Sequence, residues 1–82
     1  MSQARDEKDF LVRLGHMLLV RRVRADLTQQ QLADATGLTR NKISALERGE
    51  QSGRLLDFIA LARYFRVTLD ELVKNDGVPP YN

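Results

Sequence analysis

LTQQQLADATGLTRNKISALERG, running from Leu27 to Gly49, is the stretch that decides the fold. Thr28 is followed three residues later by Gln31, the spacing of a capping box, in which a threonine hydroxyl and a glutamine side chain each accept an otherwise orphaned amide. Leu32, Ala33 and Ala35 then supply an apolar side. Gly37 stands where a helix ends in a residue of positive φ. Leu38 plugs the turn, Thr39 caps a second short helix, and Gly49 ends it. That second helix sets Ile43 and Leu46 toward a core and carries Arg40, Asn41, Lys42 and Ser44 away from it. The reading is two short helices joined by a tight glycine turn.

Working outward, no period-two alternation of a strand appears anywhere, and the punctuation is helical throughout. A first helix is expected from about Asp9 to Ala25, with Asp26 as its stop. A loop from Glu50 to Gly53 leads into a fourth helix over about Arg54 to Phe65. Thr68 and Glu71 form another capping-box pair and open a fifth helix that fades near Asn75. The run Gly77-Val78-Pro79-Pro80 terminates the fold. The fold class is therefore all-α with five helices: residues 1–8 a flexible arm, 9–76 one domain, and 77–82 a flexible tail. The expected core draws on Phe10, Leu14, Leu18 and Ala25, then Leu32, Ala33, Ala35 and Leu38, then Ile43 and Leu46. Leu55, Phe58, Leu61, Ala62, Phe65, Val67, Leu69 and Leu72 complete it, mostly at helical spacings of three and four. Ala33 falls where the second and third helices cross, and its small side chain permits a close approach.

The chain has 82 residues, a formal charge of +2 and no cysteine. Disulfides and thiolate metal sites are excluded, and a reducing cytoplasm is the expected compartment. The polar start, MSQARDEKDF, lacks the apolar run of a signal peptide, and no stretch has the ~18 apolar residues of a membrane span. Charge is unevenly spread. Between Arg13 and Arg54, the basic residues Arg13, Arg21, Arg22, Arg24, Arg40, Lys42, Arg48 and Arg54 face only Asp26, Asp34, Glu47 and Glu50. A basic middle with acidic ends suits a nucleic-acid face, and a mixed solvated surface would show the same count.

Two short helices about a glycine turn are the layout of a helix-turn-helix, whose second helix enters the DNA major groove. The chain resembles the lambda-repressor-like helix-turn-helix family, also called the Cro or XRE type, over about Leu14 to Leu72. The residues that carry the resemblance are Gly15, Arg22, Leu27-Thr28-Gln29, Leu32-Ala33, Gly37-Leu38-Thr39, Ile43-Ser44, Leu46-Glu47-Arg48-Gly49, Leu61-Ala62 and Val67-Thr68-Leu69. The resemblance implies a small DNA-binding transcriptional regulator, a homodimeric repressor that sets one recognition helix per half-site. Arg40 and Asn41 fall at its first exposed positions. Arginine pairs bidentately with guanine and asparagine with adenine. Ser44 and Ala45 lie one turn along the same face, Ala45 facing a thymine methyl. Gln29 matches the family's phosphate contact, and Thr39, Lys42, Arg48 and Arg54 join it on the backbone. Glu47 matches a glutamate that pairs with Arg22 and orients the recognition helix. Taken by chemistry alone, Thr28 and Thr39 are first of all helix caps, and Arg21 and Arg24 are ordinary solvated residues.

Three departures from the family pattern stand out. Asp26 and Arg66 occupy positions usually held by glycine. Arg21 lies where an apolar core residue is common. Val12, Leu19, Val20 and Val23 form a second apolar stripe on the first helix, the expected face for a second copy, a protein partner or the chain's own tails. Stand-alone members of the family include phage-type repressors, restriction–modification controllers and antitoxins. A protein-interaction module of the same fold would carry acids or bulky apolar groups at positions 40, 41, 44 and 45. No cluster has the spacing of metal ligands, no glycine-rich loop suits a nucleotide, and the sole histidine, His16, has no nucleophile or acid pair arranged with it. Neither a metal, a cofactor nor an enzymatic activity is expected.

Overall fold

Five helices are built by the residues described in the computed structural model, 3–50 and 54–73. They are α1 (Gln3–Arg24), α2 (Gln29–Thr36), α3 (Arg40–Glu47), α4 (Leu55–Phe65) and α5 (Leu69–Val73). The expected tail over 77–82, the fade of α5 near Asn75 and the end of the loop at Gly53 lie outside the described residues. None of the described helices is long and apolar enough to cross a membrane.

Local chemistry accounts for most boundaries. The Gln31 N–H donates to Thr28 Oγ1 at 3.0 Å, and the Thr28 N–H donates to Gln31 Oε1 at 2.8 Å. Gly37 ends α2 at φ 77°, and its N–H donates back to the Ala33 carbonyl. Thr39 Oγ1 accepts the Lys42 N–H at 3.1 Å to start α3. The Thr68–Glu71 pair repeats the capping box at α5. Its hydrogen bonds from Thr68 hold the Glu71 carboxyl below the usual glutamate range. Helix α1 starts at Gln3 rather than near Asp9. Gln, Ala, Arg, Glu and Lys of the segment Gln-Ala-Arg-Asp-Glu-Lys are all good helix formers. The two departures at glycine positions adopt the glycine conformation: Asp26 has φ 61° and Arg66 φ 58°. Aspartate enters this region with local hydrogen bonding, whereas arginine there costs about 1–2 kcal/mol. Arg66 nonetheless closes α4, its N–H reaching the Arg63 carbonyl at 3.2 Å.

The core comprises Leu14, Leu18, Leu32, Ala33, Ile43, Leu46, Leu61, Ala62 and Leu72, with Leu27, Leu38, Phe58, Phe65 and Val67 packed against it. Helix α3 packs on α1 and α2, α4 on α2, and α5 on α1 and α4. Several expected core residues stay outside. Ala25 and Ala35 are exposed, as are Phe10 and Leu55. The end of α3 meets α1 at Gly15, and the following Gly49 lies against Leu11 and Val12. At the start of α4 the buried position is taken by Asp57, and both leucines before it face outward. The second stripe of α1 is also divided. Val20, three residues on from Met17, is buried with it, while Val12 and Val23 are exposed and Leu19 is half-buried. Val20 thus serves the monomer's interior and is withdrawn from any partner face. Arg21, at its core position, donates weakly to the Glu71 carbonyl, and its buried Nε has no hydrogen-bond partner among the described residues.

The α1–α3 crossing depends on Gly15. A Cβ there would stand 2.4 Å from the Leu46 carbonyl oxygen and 2.6 Å from that of Glu47. Both obstacles are backbone, so neither can swing aside. Gly15→Ala is expected to destabilise the fold by about 1–3 kcal/mol through overpacking. A urea melt should show the lower midpoint with an unchanged slope, and a midpoint equal to that of the parent would contradict this account of the crossing.

Candidate nucleic-acid interface

Helix α3 has two unlike sides. Ile43 and Leu46 are buried in the core. Arg40 and Asn41 are exposed in its first turn, and neither side chain has a partner among the described residues. Ser44 and Ala45, one turn along, are half-buried. The unpartnered guanidinium and amide, both able to make two parallel hydrogen bonds, therefore lead the helix.

One carboxylate fixes the aim of this helix. Glu47, with a side chain only 5% exposed, accepts from Arg22 Nε at 2.6 Å through Oε2 and from Arg22 Nη2 at 3.1 Å through Oε1. The fork is bidentate, the strongest geometry of this pair. Arg22 Nη1 also donates to the Leu27 carbonyl at 2.7 Å. Gln29 Nε2 donates to Glu47 Oε1 at 3.0 Å. One acid thereby ties the end of α1, the start of α2 and the end of α3.

The other basic side chains on this surface are partly engaged. Lys42 Nζ lies 3.5 Å from Asp57 Oδ2. Arg48 forks onto Glu50 at 2.7 and 3.0 Å and also donates to Ser44 Oγ. The Arg48–Glu50 hydrogen bond holds the exposed Glu50 carboxyl below its usual range. Arg54 is exposed at the N-cap of α4, where its backbone N–H donates to Asp57 Oδ2 at 2.9 Å. Thr39 is exposed at the start of α3. The side chains of Gln29 and Arg48, read from the sequence as phosphate contacts, are thus held internally here. Asp57 escaped the sequence reading, although an acid three residues after an N-cap position carried a legible signal. Among the described residues, no group of three or more His, Cys, Asp or Glu could hold a metal ion.

The model of a helix-turn-helix family matches residues 19–72. The cryptic phage CTXphi transcriptional repressor RstR of Vibrio cholerae is 37% identical over 54 residues, which cover 66% of this chain and 49% of that protein. The chain thus spans about half the length of the curated relative it matches. Among solved structures, the restriction-modification controller protein C.AhdI from Aeromonas hydrophila superposes with a TM-score of 0.71 at 32% identity, covering 76% of this chain and 94% of that one. The clp gene regulator ClgR from Corynebacterium glutamicum gives a TM-score of 0.71 at 20% identity, covering 78% of this chain and 68% of that one, and shows the shared fold.

Removing the central acid tests the scaffold of this surface. Glu47→Ala takes the bidentate carboxylate away from the part-buried Arg22 guanidinium, which should cost about 3 kcal/mol. Thermal or urea unfolding would measure it, and a loss below the level of an ordinary surface substitution would show that another contact aims α3.

Proposed function

Because the chain belongs to the helix-turn-helix family, we propose that it is a sequence-specific, double-stranded-DNA-binding transcriptional regulator, a repressor acting as a homodimer in the cytoplasm. Its task is binding rather than catalysis. The observation that carries this reading is the pair Arg40 and Asn41, exposed and unpartnered at the leading end of a helix whose other side is locked in the core. Arg40 reads guanine O6 and N7, and Asn41 reads adenine N6 and N7. Ser44 and Ala45 follow along the groove. Gln29, Thr39, Lys42, Arg48 and Arg54 serve the phosphates, Gln29 through amides at the start of α2 and Arg48 by exchanging Glu50 for a phosphate oxygen. Two copies would read half-sites about one helical turn apart.

Two finer readings have specific support. Similarity to the CTXphi repressor favours a phage-type repressor, and similarity to C.AhdI over most of that chain favours a restriction–modification controller. An antitoxin would need a partner face, for which Val12, Leu19 and Val23 line one side of α1. A pure protein-interaction module fits less well, since positions 40, 41, 44 and 45 hold Arg, Asn, Ser and Ala rather than acids or bulky apolar groups.

Selection of duplexes from a random-sequence pool, followed by anisotropy titrations, tests this reading. Arg40→Ala should cost about 1–3 kcal/mol on the selected duplex and little on a scrambled one. Arg54→Ala should weaken both alike and reduce the salt slope by about one. Equal losses on both duplexes for Arg40→Ala would remove it from base reading, and a pool that yields no enriched sequence would overturn the function. Separately, Val23→Asp is expected to lower self-association in sedimentation, and an unchanged sedimentation coefficient would move the dimer contact elsewhere.

A further inference from the structure

Asp57 is a buried charged residue, 4% exposed, between the chain's most exposed leucines and its core. Its neighbours Leu55 and Leu56 are 65% and 70% exposed. Hydrophobic burial alone would favour the reverse arrangement, a leucine inside and the acid in water. A buried carboxylate is retained only where its partners offset the loss of hydration. Here Oδ2 accepts the Arg54 N–H at 2.9 Å and lies 3.5 Å from Lys42 Nζ. The first partner sits at the N-cap of α4, and the second belongs to the first turn of α3.

The tertiary setting gives this bridge its meaning. Helix α3 is packed on α1 and α2. Lys42–Asp57 is the ion pair that joins α3 to α4 among the described residues. A lysine ammonium has three protons, so one directed at Asp57 leaves two for another oxygen. The Lys42 side chain remains 29% exposed, enough to present them outward.

We propose that Asp57 is a positioning residue for DNA recognition: held by the Arg54 backbone N–H at the N-cap of α4, it tethers Lys42 and sets where that cation meets a phosphate relative to the exposed side of α3. This rests on the DNA-binding reading above. Phosphate contacts fix the register in which base-reading side chains meet their bases. A free lysine stem loses much rotational freedom when it binds a phosphate, whereas a tethered one has already lost it. The buried negative charge near the DNA weakens binding to every sequence, and the tether returns the advantage only where register matters. Asp57 therefore exchanges general affinity for discrimination.

The test compares the parent protein, Asp57→Asn, Lys42→Ala and the double variant on the duplex selected by the parent and on a scrambled duplex. Asparagine keeps an acceptor for the Arg54 N–H and removes the charge that holds Lys42. Asp57→Asn is expected to tighten binding to scrambled DNA while lowering the selected-to-scrambled ratio about tenfold, and the double variant should lower that ratio no further than Lys42→Ala. A ratio unchanged in Asp57→Asn, with both duplexes bound more tightly, would show simple charge neutralisation and overturn the proposal, as would additive losses in the double variant. Side-chain ammonium relaxation in the unmutated, DNA-free protein gives a second readout independent of variant folding. Lys42 should be more ordered than the exposed Lys8, and equal mobility would overturn the tether. Failure of the parent to enrich any sequence would instead refute DNA binding itself, leaving the tether to be judged by relaxation alone.

Discussion

The carboxylate of Glu47 is the constraint on which the rest of the molecule depends. It collects a bidentate guanidinium from α1 and an amide from α2 while standing at the end of α3. Placed almost out of water, it needs all of these partners, and each partner in turn fixes one helix. Gly15 lets the same crossing close, since the carbonyls of Leu46 and Glu47 sit where a side chain would otherwise be. Steric contact sets the distance between α1 and α3, and the ion pair sets their rotation. Together they aim the exposed side of α3.

That aim separates the polar groups of the surface into two kinds. Arg40 and Asn41 have no partner among the described residues, so their hydrogen-bonding capacity is open to an outside group. Lys42 and Arg48 are held by Asp57 and Glu50. A side chain already held by an acid loses less freedom when it binds an outside group. The exposed Arg48–Glu50 pair is of the kind that gains little in water and exchanges readily for a phosphate. The Lys42–Asp57 pair, with one member buried, is more durable. The same surface thus combines unpartnered polar side chains with tethered cations, the division that the proposed function would use for reading bases and for holding register on the backbone.

Stability and recognition meet at the same residues. Thr39 caps the helix whose first turn carries Arg40 and Asn41, the proposed base readers, and Thr28 caps the one that presents Gln29 to Glu47. Arg66 accepts a strained left-handed conformation to end α4 where a glycine would have done so freely. Its cost is borne by the packing of Phe65 and Val67 on the core on either side of the turn.

The sequence by itself determined the helices of the central motif, the turn at Gly37 and most of the core. These follow from interactions within a few residues: a hydroxyl reaching an amide three positions on, a glycine with positive φ, apolar side chains returning every third or fourth place. The pairing of Arg22 with Glu47 was also legible, through likeness to a family in which the two positions correspond. Tertiary structure alone decided that Val20 turns inward, that Phe10 stays exposed, that Gln29 and Arg48 are held internally, and that Asp57 rather than Leu55 enters the α3–α4 junction. Those outcomes depend on which atoms distant parts of the chain bring within a few ångströms. Periodicity specifies the side of a helix that is buried, but not where the neighbouring helix ends or which polar group it offers there.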